Sequence, residues 1–94
     1  MSSIDNTISL FEEMSQAIAT KYLAEVKIMT AAKGERPGFD ELMAILKKFE
    51  KELTQIGAQT VDTAKKVNNP EIETLTDKLH TIIKSTVEGF IKQL

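Results

Sequence analysis

His80 is the only histidine of this chain, and there is no cysteine at all. Disulfides, thiolate nucleophiles and Cys-based zinc sites are therefore excluded. An imidazole can act as a general base, but nucleophilic and metal chemistry need companions within a turn or across a groove. On a helix, the neighbours of His80 at three and four residues are Thr76, Asp77, Ile83 and Lys84. Asp77 can orient the ring, yet no nucleophile or further nitrogen ligand accompanies it. The expectation is a histidine at the edge of an apolar stripe.

Carboxylates offer the other route to chemistry. Glu12 and Glu13 are adjacent, as are Asp40 and Glu41, and Glu73 stands four residues before Asp77. Di-iron bundles use inward-pointing Glu and Glu-x-x-His motifs on four helices, and no Glu stands three residues before His80. The acidic pairs fall at helix starts or on polar faces, where solvation is expected. No catalytic, metal or cofactor site is predicted, and no enzyme.

The stretch KGERPGFD, residues 33–40, is the place where a phosphate-binding loop would have to lie. Such a cradle needs glycines that make successive backbone N–H groups converge, usually after a strand. Here no strand precedes and no GK[ST] follows. Gly34 suits the left-handed residue after a helix, Pro37 prevents continuation, and Gly38 allows a tight re-entry. The stretch is a corner, with Phe39 expected to fold back onto the end of the bundle.

These residues must be positioned by helices. Ile4, Ile8, Phe11, Met14, Ile18, Tyr22, Val26 and Met29 recur in steps of three and four, the spacing of one helix face. Leu42, Ile45, Leu46, Phe49, Leu53 and Ile56 form a second such row. Ile72, Leu75, Leu79, Ile82, Ile83, Val87, Phe90, Ile91 and Leu94 form a third. No segment alternates with period two long enough for a strand. Asn69-Pro70 reads as a helix start, with Asn as cap and Pro at the first helical position. Lys48–Glu52, Asp62–Lys66 and Glu88–Lys92 are spaced four apart for pairing along a helix. The fold class is all-α: an up-down-up bundle of three long antiparallel helices over about 4–33, 39–67 and 70–93, open to completion by homo-oligomerisation.

The formal charge of −2 gives no general pull toward nucleic acid. No stretch approaches the roughly 20 apolar residues that span a bilayer, so stable membrane insertion is not expected. The N-terminal MSSIDNTISLFEEM lacks the basic start and apolar run of a signal peptide. The expected location is cytoplasmic, or outside the cell by a route without a conventional signal.

The three stripes differ in width. That of helix two is narrow, roughly 120°, whereas helix one spans about 160°. Helix one adds Leu10, Ala17, Ala24 and Ile28, with Leu23 nearly opposite the core face. Ile91 stands at the margin of helix three. Glu25 falls between Tyr22 and Met29 on the apolar side, where a carboxylate needs a partner; Lys21 is four residues earlier. Leu10, Leu23, Glu25, Ile28 and Ile91 are thus the candidate interaction residues.

Excess apolar surface on long helices marks self-association or a partner groove. The leading expectation is a non-enzymatic helical interaction protein, self-associating or meeting another helical protein. A subunit or substrate of a secretion or filament assembly is the alternative. Size and the helix-corner-helix layout would suit the small exported proteins of type VII systems, but their Trp-x-Gly turn is missing, since the chain has no Trp. A third class is a small carrier of an apolar ligand, with Met14, Met29 and Met43 as adaptable walls.

Overall fold

Apolar residues that recur every three to four positions decide which helix faces meet. A computed structural model describes residues 3–94 and contains α1 over Ser3–Lys33, α2 over Phe39–Lys66 and α3 over Ile72–Lys92. These helices hold 87% of the described residues, no strand occurs among them, and every helix touches the other two. The expected three-helix bundle is what forms.

The core has two centres. One joins Ile4 and Phe11 of α1 to Ala64 near the end of α2 and to Leu75 and Leu79 near the start of α3. The other joins Ile18, Ala19 and Tyr22 to Ile45, Phe49 and Leu53 in the first half of α2, and to Phe90 near the end of α3. The start of α1 thus meets the end of α2 and the start of α3, which makes the order up-down-up. Ile56 and Ile83 pack against both centres and make the core continuous. Phe49 is fully buried, with its ring centroid 5.7 Å from that of Tyr22 and 4.4 Å from that of Phe90. Burying such a ring contributes about 1.5–3 kcal/mol. The result is a slender rod with extents of 51 × 21 × 16 Å.

Between the two centres each helix contributes a small buried residue: Ser15 on α1, Gly57 on α2 and Thr86 on α3. A Cβ on Gly57 would stand 3.3 Å from Ile83 Cδ1 and 3.8 Å from the Phe11 ring, so α2 packs closely against both neighbours there. The Thr86 hydroxyl donates to the Ile82 carbonyl at 2.7 Å, the local bond that lets a threonine be buried in a helix. Among the described residues the Ser15 hydroxyl is buried without a hydrogen-bond partner.

The corners are built differently. Gly34 takes φ 72°, and its N–H donates to Thr30 O at 2.9 Å, closing α1 in the left-handed conformation that glycine adopts without strain. Lys33 then pairs with Glu41 across the corner. Phe39 does not fold back: it is 75% exposed, because Pro37 occupies the buried position at this end and leaves Phe39 outside. At the other corner Asn68 takes φ 52°, its N–H donates to Lys65 O, and the Asn69 N–H donates to Ala64 O, a reversal that satisfies the last carbonyls of α2. Asn69 Oδ1 accepts the Glu71 N–H at 2.8 Å, so Asn69 shapes a turn and α3 begins at Ile72, two residues later than expected.

Candidate interaction surface

Helix α1 has two apolar faces. The inward one carries Phe11, Ile18 and Tyr22 into the core. The second follows the steps Leu10, Met14, Ala17, Lys21, Ala24 and Ile28, alternately four and three, and looks outward beside α2. Leu10 is 57% exposed and Ile28 68%, while Ala17 and Ala24 are exposed between them. Alanines at the middle of a row let another helix approach closely.

At the low-numbered end of this row, a groove of about 380 Å³ opens between α1 and the end of α2. Leu10, Phe11 and Met14 line it from α1, and Ala64 and Val67 from the end of α2. Val67 is itself 70% exposed. The groove is apolar at its base, with Thr60 and Thr63 along the α2 rim.

Midway along the row, a polar clasp ties α1 to α2. The Tyr22 hydroxyl donates to Glu52 Oε2 at 2.6 Å, and Lys21 Nζ lies 3.2 Å from the same oxygen and 4.9 Å from the Tyr22 ring centroid. The hydrogen bond to the carboxylate, then burial, push the Tyr22 hydroxyl up from 10 to about 12. The hydrogen bond from Tyr22, then the one from Lys21, hold the Glu52 carboxyl below its usual range. Lys21 therefore serves Glu52 on α2, not Glu25 on its own helix. Glu52 likewise turns to α1, away from the Lys48 partner that its spacing had suggested. Pairing across helices wins because the Tyr22 ring brings both charges to one place.

The five candidate residues do not stay together. Leu10 and Ile28 lie on the outward row of α1. Leu23 is half-buried and packs against the core centre around Phe49, so it does not face away from the core as expected. It sits on the flank of α1 opposite the groove. Glu25 is exposed, and its need for a partner lapses with that exposure. Ile91 is 48% exposed and continues the α3 row His80, Lys84 and Val87, which borders α2, far round the bundle from Leu10.

The chain matches no protein-family model, no curated protein and no solved structure.

Other places have less to offer. His80 is exposed beside a second groove, between α2 and α3, with Gly57, Ala58 and Val61 opposite. Among the described residues no three His, Cys, Asp or Glu side chains are grouped to hold a metal, and no helix is long and apolar enough to cross a membrane. Sequence reasoning missed the Tyr22–Glu52–Lys21 clasp, since no spacing rule links residues thirty positions apart. It also missed the groove, because an opening between two helices depends on where both of them end.

Proposed function

We propose that this chain is a non-enzymatic helical interaction protein, and that it self-associates through the outward row of α1. The observation that carries the reading is the pair Leu10 and Ile28, two large aliphatic side chains more than half exposed on one helix face with only small or long residues between them. Their separation of eighteen residues is about 27 Å along the helix at 1.5 Å per residue. A single exposed leucine is ordinary, whereas a row at coiled-coil spacing is a surface that another helix fits.

Mass measured in solution across a concentration series tests this. The native chain should gain mass as concentration rises. The variant combining Leu10→Glu and Ile28→Glu should remain monomeric with unchanged helical circular dichroism, since neither side chain belongs to the core. A native chain that stays monomeric at millimolar concentration, or a variant that associates equally well, would overturn the reading.

A second reading is favoured by the groove beside Leu10. Its volume of about 380 Å³ falls within the range of small-molecule pockets. A carrier would stay monomeric and take up an environment-sensitive apolar dye in stoichiometric amount, and Val67→Glu at the rim would abolish uptake.

A further inference from the structure

We infer that the partner of the α1 row is α1 of a second copy, running antiparallel about a two-fold axis, with Ile28 of each copy seated over Leu10 at the groove of the other. This rests on the self-association reading and adds to it the direction, the register and the occupant of the groove.

The register follows from the row itself. Counting from its midpoint, Leu10 and Ile28 are equidistant, as are Met14 and Ala24, and Ala17 and Lys21. An antiparallel partner therefore sets Leu10 against Ile28, Met14 against Ala24, and Ala17 against Lys21. The end layers pair two aliphatic side chains, Leu10 and Ile28, and the inner layers match a long side chain with an alanine. The half-open groove formed by Leu10, Met14 and Val67 receives the most exposed aliphatic residue of the row, twice, once at each end.

Charge selects the same direction. The flank of the row away from α2 carries, at intervals of seven, Asn6, Glu13, Thr20, Lys27 and Gly34, all exposed. Two antiparallel helices in the register above bring Glu13 of one copy beside Lys27 of the other, and the symmetry makes that contact twice. Thr20 then meets Thr20 at the axis, where a neutral residue is required. A parallel partner would instead stack Lys21 on Lys21 and put Leu10 and Ile28 each against itself, with no use for Glu13 or Lys27, because the positions that would answer them, Ile18 and Ala32, carry no charge and Ile18 is buried. The seven-residue flank is thus self-complementary in one direction only.

The expected strength is modest. A seam from Thr7 to Ala31 is about 36 Å long, and a single helix pair of that length lies toward the lower end of the roughly 600–1,000 Å² per partner that stable complexes bury. The dimer should therefore be concentration-dependent, not obligate.

The absence of cysteine gives a clean test. Leu10→Cys and Ile28→Cys chains, one of them uniformly isotope-labelled, are mixed in equal amounts and equilibrated in a glutathione redox buffer. The antiparallel register predicts that the mixed disulfide, Leu10→Cys joined to Ile28→Cys, dominates both homodisulfides. Predominance of the homodisulfides would mean a parallel pair, and a statistical ratio would mean no fixed register. Either result overturns the inference while leaving self-association standing. No concentration-dependent association of the native chain would remove the reading beneath it as well. Charge exchange checks the flank independently. Glu13→Lys or Lys27→Glu alone should weaken the dimer about tenfold at low salt, from two lost attractions and two new repulsions. The double exchange should restore it. Failure of the double exchange to restore dimerisation, with circular dichroism unchanged, would overturn the antiparallel flank.

Discussion

The Tyr22 hydroxyl lies 2.6 Å from Glu52 Oε2, so a hydroxyl of α1 ends on a carboxylate of α2. The ring below that hydroxyl is packed against Phe49 at the centre of the core. One side chain therefore joins the hydrophobic interior to the surface clasp. Tyr22→Phe keeps the ring and deletes the bond. Because Lys21 and water still serve the partly exposed carboxylate, the loss should be about 1 kcal/mol, below the roughly 1.5–3 kcal/mol of hydrogen bonds to charged groups. Urea denaturation at neutral pH measures it, and an unchanged midpoint would show that the clasp contributes nothing to stability.

The same clasp sets the pH response. Glu52 has a depressed pKa in the folded chain, so its contribution is present above the ordinary carboxyl value of 4.5 and is lost as pH falls below it. Tyr22 has a raised pKa, so its contribution is intact below pH 10 and is lost as pH rises from 10 toward about 12. Stability of the native chain should therefore fall off at both ends. Tyr22→Phe should remove the alkaline limb between pH 10 and 12 and also shrink the acid one, leaving there only the part that Lys21 holds. Parallel alkaline limbs in the two proteins would place the titration elsewhere.

Ser15 supplies a gain where deletion is expected to cost. Its hydroxyl is buried at 1% exposure with no hydrogen-bond partner, while Phe11 and Ile18 on either side are core. Ser15→Ala removes the unsatisfied group and improves helix propensity. The variant should be more stable by about 1 kcal/mol, given the 1–3 kcal/mol cost of an orphaned polar group. Thr86→Ala should go the other way, since its hydroxyl is satisfied by Ile82 and its methyl group fills the same waist. A less stable Ser15→Ala would mean that the hydroxyl finds a bond after all.

Much of this architecture was legible in the residues. The inward rows through Phe11, Phe49 and Leu79 are dictated by a 3.6-residue period, and the corner at Gly34 by a backbone that only glycine adopts at no cost. Leu10 and Ile28 were legible as surplus apolar side chains once the core face of α1 was filled. Leu23 was not, because whether it is covered depends on how the neighbouring helices pack around α1, which a wheel of one helix does not contain. Phe39 failed for a related reason: at a helix start, a single neighbouring residue, Pro37, decides which side chain fills the end of the bundle. Long-range pairing of Lys21 with Glu52 was out of reach of any rule based on spacing along one helix.

Two glycines that look alike in the sequence should respond oppositely to alanine. Gly34 has open space around it, yet its φ of 72° is strained for any residue with a Cβ. Gly34→Ala should cost about 1–2 kcal/mol on backbone grounds alone. Gly57 is helical, so alanine there gains about 1 kcal/mol of helix propensity. Against that gain stands the contact at 3.3 Å with Ile83 Cδ1. That atom is the far end of a half-buried side chain lining the open groove between α2 and α3, and a small rotation moves it aside at little cost. The Phe11 ring, fixed in the core, is already at an ordinary 3.8 Å. Gly57→Ala should therefore stabilise the bundle by about 0.5 kcal/mol, the propensity gain less the adjustment of Ile83. Adding Ile83→Val removes the crowding methyl group and should raise the benefit of alanine at position 57 in a double-mutant cycle. A destabilised Gly57→Ala whose penalty persists with Ile83→Val would show that the backbones of α1 and α2, not one side chain, set the closeness at the waist.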